Sequence, residues 1–187
     1  MKPFLTAISL CLLFSLFSCV TFKQFDNEAK KGRSPEYNVF IQKKDGQKIV
    51  GNKFSQSSVW SSGYWIAVDG VKVDNYNVYQ NEKAYYVLTD VAGWVQRLRY
   101  GRMNLYYYDD TKAGGIDSKD RTYTAKYVFE KEKGKFEKLT YESFANAIQD
   151  SPEAAAKFKQ LFPHGKIPKD EKGNLYNLIG VVETYNK

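Results

Sequence analysis

The chain has 187 residues, a formal net charge of +7 and an aromatic share of 16%, with 15 Tyr, 12 Phe and 3 Trp. That length suits one domain whose core stands without staples, and a count of 2 Cys and 1 His argues against a disulfide framework or a zinc cluster. Basic and acidic residues are interspersed, as in Lys131-Glu132-Lys133, which is the pattern of a solvated surface.

Residues 1–18 read as a signal peptide. Lys2 supplies one positive charge, and no charged residue follows from Phe4 to Ser18. This is a short basic start followed by an apolar run, too short to span a bilayer as a helix, which takes roughly 20 residues. The run ends in Leu16-Phe17-Ser18-Cys19. That tetrapeptide resembles a bacterial lipobox, with Leu three residues before the Cys and a small residue directly before it; Phe17 is larger than the residue usual at its place. The resemblance implies cleavage before Cys19, lipidation of Cys19 and a membrane-anchored protein of the cell envelope, on its periplasmic or its outer side. A plain secreted protein carrying the same domain is the alternative. Cys11 leaves with the signal, and loss of Lys2 takes the net charge to +6.

Residues 19–36, which include Lys-Lys-Gly-Arg-Ser-Pro and little apolar periodicity, are expected to form a flexible tether. The single domain is expected over 37–187. Val39-Phe40-Ile41 and Lys48-Ile49-Val50 flank Asp45-Gly46, and Tyr64 to Val68 and Val71-Lys72-Val73 flank Asp69-Gly70. Asp-Gly between apolar runs is a hairpin signal, because both residues tolerate positive φ. Gln80-Asn81-Glu82 is a third turn between Asn77-Val78-Tyr79 and Ala84 to Leu88. In the strand Trp94 to Tyr100, alternation puts Trp94, Leu98 and Tyr100 on one face and Val95, Arg97 and Arg99 on the other. Met103 to Tyr108 is the next strand, Asp109 to Asp120 a polar loop, and Arg121 to Glu130 a strand with Tyr123, Ala125, Tyr127 and Phe129 on one face. Lys133-Gly134-Lys135 turns into a short strand, Phe136 to Leu139.

At Thr140 the period changes. Tyr141, Phe144, Ala145 and Ile148 fall on one helical face, with Thr140 as N-cap. Ser151-Pro152-Glu153 opens a second helix, which Pro163-His164-Gly165 ends. Leu175, Leu178, Ile179 and Val182 predict a third, against a competing strand at Ile179 to Val182. The fold class is therefore α+β: an antiparallel β-meander of about 7–9 strands followed by two or three C-terminal helices. The segment around Asn104-Leu105-Tyr106-Tyr107, the Asp-Ser-Pro-Glu helix start and the final Tyr185-Asn186 resemble uncharacterised small exported proteins of Bacteroidetes-type bacteria over roughly residues 95–187. The resemblance implies an envelope lipoprotein and carries no reaction and no site residues.

No catalytic motif stands out. His164 lies in a loop, with no Gly-x-Ser-x-Gly to accompany it. No phosphate-cradling glycine loop is present. Asp109, Asp110, Asp117 and Asp120 do not have the spacing of a calcium loop. No cofactor or metal is expected, and export argues against nucleic acid. The expectation is a non-enzymatic binding module, held to a membrane by its lipid and meeting a glycan or an envelope protein partner. Arg97, Arg99, Arg102 and Tyr106 are the candidate partner-binding surface, suited to an acidic glycan or an anionic headgroup. Tyr richness also suits a carbohydrate-stacking platform. The rival reading is an envelope glycan hydrolase working through two carboxylates.

Overall fold

The computed structural model describes residues 26–57, 65–111, 123–168 and 172–187. Cys19, the signal peptide and the Asp117–Asp120 part of the polar loop lie outside the described residues.

A helical segment at residues 26–31, α1, comes first. Eleven strands follow: β1 (Val39–Lys43), β2 (Lys48–Gly51), β3 (Phe54–Gln56), β4 (Ile66–Val68), β5 (Val71–Val73), β6 (Tyr76–Gln80), β7 (Tyr85–Thr89), β8 (Gly93–Arg99), β9 (Asn104–Thr111), β10 (Tyr123–Glu130) and β11 (Phe136–Lys138). Three helices close the chain: α2 (Tyr141–Ala147), α3 (Pro152–Leu161) and α4 (Lys172–Tyr185). The expected α+β order of strands and then helices is what the chain adopts. The strands form an eight-stranded antiparallel sheet in the order β11-β10-β9-β8-β7-β6-β1-β2, while β3, β4 and β5 form a small sheet of their own. The meander is thus interrupted: β1 pairs with β6, and the intervening strands fold over the large sheet.

Alternation divides the large sheet into two faces. Directly opposed residues in antiparallel strands point to the same side, so the partners Ile41, Tyr79, Tyr86, Gln96, Tyr107 and Tyr127 form one row on one face. Phe40, Gln80, Tyr85, Arg97, Tyr106 and Val128 form a row on the other. The first face has two covers. At the β1 side, Val39, Ile41 and Tyr79 pack against Ile66, Val68 and Val73 of the small sheet. At the β9–β10 side, Leu105 and Phe129 pack against Phe144, Phe158, Leu178 and Val182 of the helices.

Local chemistry sets the boundaries. Gly46 and Gly70 occupy positive φ in the two Asp-Gly turns, and Asp69 does so beside Gly70. The Asn81 side chain accepts from the amides of Lys83 and Ala84, closing the third turn. Thr140 caps α2 through the Ser143 amide, and Ser143 returns the bond. Pro152 opens α3, although Ser151 makes no side-chain cap bond. Asp109 and Asp110 belong to β9, paired with Ala125 and Thr124, so the polar loop starts later than alternation suggested. Among the described residues no helix is long and apolar enough to cross a membrane.

Residues 26–36, expected as part of a flexible tether, are instead docked. Ala29 and Gly32 are buried. The Ser34 amide donates to the Gln80 side chain at 2.6 Å, and the Gln80 amide donates to the carbonyls of Tyr37 at 2.5 Å and Ser34 at 3.2 Å. Long-range side-chain bonds hold this stretch, and local periodicity carries no trace of them.

Candidate binding surface

The four residues read from the sequence as one exposed surface divide in the fold. Arg97 is 4% exposed, Arg99 6% and Tyr106 2%; only Arg102 is exposed. Arg97 keeps the regular alternation of β8, opposed to Tyr85 and Tyr106, while a register shift after it sets Arg99 opposite Leu105; both arginines meet protein partners. Arg97 lies 3.6 Å from the Tyr85 ring and 4.7 Å from the Tyr100 ring, and its Nε donates to the Gly32 carbonyl at 2.5 Å. Arg99 forms an ion pair with Glu28 of α1 and donates through Nε to Glu183 of α4 at 2.7 Å. These guanidiniums are internal fasteners, chosen because a planar fork holds several acceptors at once. Both lie in the interior, not on the surface expected of them.

Tyr106 is fastened too. Its hydroxyl donates to Glu130 Oε2 at 2.5 Å, which also accepts from Asn104 Nδ2 at 2.8 Å, while Glu130 Oε1 accepts from the Gly134 amide at 2.6 Å. Burial pushes the Tyr106 phenol far above its usual value, and the Glu130 carboxylate adds to the push. Burial raises Tyr85 and Tyr127 as well. Phenols held in their neutral form this way supply no general base.

A cavity of about 510 Å³ lies between the β10–β11 hairpin and α2, with Glu132, Glu137, Glu142, Lys131 and Lys135 on its walls. Two lysines stand among these three carboxylates, and Lys131 is paired with Asp150 outside the cavity walls. His164 is exposed in the loop after α3. Among the described residues no group of three or more His, Cys, Asp or Glu is gathered as a metal site would need.

The first face of the large sheet holds a different arrangement. Tyr79 is its centre: it stacks on Tyr86 with ring centroids 4.7 Å apart and on Phe54 of the small sheet at 5.4 Å, and Trp94 leans on it at 5.3 Å. Trp94 also meets Tyr76 at 5.5 Å. Trp94 is 38% exposed, Leu88 beside it is its direct cross-strand partner and is exposed, and Tyr76, Tyr86 and Gln96 are half-buried. The result is an aromatic terrace between the two covers of this face. None of these terrace residues carries a charge, in a chain with a net positive one. Rings pinned in this way present flat, pre-ordered apolar surface with polar tips. The place of the terrace does not follow from composition, because it depends on which strands the two covers overlie.

Comparison with protein-family models, with curated proteins and with solved structures finds no match. The functional reading therefore rests on this geometry and on the sequence itself.

Proposed function

We propose that the chain is a lipid-anchored protein of the cell envelope that works as a glycan-binding module, its ligand seated on the terrace of Trp94, Tyr86 and Tyr76. The terrace carries the reading. Sugar rings expose C–H faces that pack on aromatic rings, and an uncharged patch with a carboxamide (Gln96) and phenol tips suits a neutral polyhydroxyl chain. The exported setting rests on the apolar run ending at Cys19, and two or more acyl chains there give stable anchoring where one does not.

Trp94→Ala with Tyr86→Ala removes one exposed and one half-buried ring of the terrace. On a glycan array followed by titration of the best ligand, affinity is expected to fall at least tenfold, a loss of about 1.4 kcal/mol, with the unfolding midpoint used to certify the fold. Silence of the unaltered protein across neutral glycans ends the glycan reading. The anchor is checked separately: Cys19→Ser is expected to abolish labelling by a radiolabelled fatty acid and to release the protein from the membrane fraction, and unchanged labelling refutes it.

A further inference from the structure

The strand register sorts the turns into two ends. Gln80, Tyr85, Arg97 and Tyr106 are mutual partners near one end of the large sheet, so the β6–β7, β8–β9 and β10–β11 turns share that end. The turns β1–β2, β5–β6 and β7–β8 share the opposite end, where Lys43 pairs with Tyr76 and Thr89 with Gly93. The described turns at the two ends differ in charge. Lys83, Arg102, Lys131, Lys133 and Lys135 stand in the first three turns against Glu82 and Glu132. In the other three, with the strand ends that flank them, Asp45, Asp74 and Asp90 stand against Lys43, Lys44 and Lys48. Asp150 takes up Lys131 and Arg102, and Lys83, Lys133 and Lys135 remain exposed.

The N-terminal segment is clamped at the basic end. Arg99 holds Glu28, Arg97 holds the Gly32 carbonyl, and Tyr100, 55% exposed, follows directly in the β8–β9 turn. Only six residues lie between Cys19 and Asp26, and the chain from one to the other reaches at most about 25 Å.

From these placements we propose that the basic end of the sheet, around Tyr100, Lys83 and Lys133, rests on the anionic headgroups of the membrane that holds Cys19. The inference builds on the lipid-anchor reading and adds an orientation to it. Lysine and arginine near an anionic leaflet are each attracted to it, and an exposed tyrosine suits the headgroup level. The short reach keeps the domain where that attraction acts.

The test uses the chain from residue 19 onward with Cys19→Ser, so that no lipid contributes. Co-sedimentation with phosphatidylcholine vesicles containing phosphatidylglycerol is compared with phosphatidylcholine alone. The anionic vesicles are expected to bind more protein, and Lys83→Glu with Lys133→Glu to reduce that binding at least tenfold. Lys43→Glu with Lys44→Glu, at the opposite end, makes the same change in net charge and is expected to leave most binding in place. Equal loss from the two pairs, or equal binding to both vesicle types, overturns the proposal. Fatty-acid labelling of native Cys19 reports on the anchor alone: lost label with intact end-specific binding removes only the anchor reading.

Discussion

An added Cβ at Gly32 would stand 1.9 Å from the carbonyl oxygen of Arg97 and 2.9 Å from the amide nitrogen of Leu98. Both obstacles are backbone of the sheet, so no side chain can swing aside. Gly32→Ala is therefore expected to destabilise the fold by about 1–3 kcal/mol, read as a lower urea midpoint at unchanged slope. Gly180 shows the milder case. A Cβ there would meet Lys157 Nζ at 3.2 Å, the flexible end of a side chain that donates to the Gly180 carbonyl at 2.8 Å and to Thr184 at 3.2 Å. The glycine in α4 thus has a packing reason, and its helix-breaking tendency loses to the burial of Leu178, Val181 and Val182.

α1 is the element most exposed to solution conditions. Burial raises the Glu28 carboxyl, but hydrogen bonds from Arg99 and Lys31 outweigh it and hold it below its ordinary value of 4.5. A carboxyl depressed in the folded state stabilises above its unfolded value, and that contribution is lost as pH falls through the folded one. Amide exchange of residues 28–32, corrected for intrinsic rates, is expected to lose protection as pH drops below about 4.5. In Glu28→Gln the protection is expected to be weaker at neutral pH and flatter with pH; an unaltered profile refutes the clamp. The docking of α1 was not legible in the sequence, because its fasteners come from residues 46 to 71 positions away. The hairpins were legible, because Asp-Gly carries its own backbone requirement. The helices were legible from period and caps. The candidate surface was misread for two reasons: Arg97 and Tyr106 stand on a face where Gly32 of the docked N-terminal stretch and Glu130 take them up, and a bulge in β8, which alternation alone does not announce, sets Arg99 opposite Leu105.

Across the whole molecule, two of the readings agree in space. The terrace residues Trp94 and Tyr76 lie toward the other end of the strands, where Lys43 pairs with Tyr76 and Leu88 with Trp94. A domain seated on its basic end would hold that terrace away from the bilayer, open to ligands. The interruption of the meander matters here as well. Had β3, β4 and β5 continued in the large sheet, nothing would cover Ile41 and Tyr79, and the terrace would lose the wall that Phe54 supplies.

Arg99 joins Glu28, near the start of the described residues, to Glu183, four residues before Lys187. The molecule is therefore a closed circuit fastened by one guanidinium. Such a circuit can be cut elsewhere and rejoined: a short linker from Lys187 to Asp26, with new termini opened at the exposed Gly134 turn, would keep every strand pairing. A reporter appended after Lys187, in contrast, would crowd the place where Arg99 clasps Glu28 and Glu183.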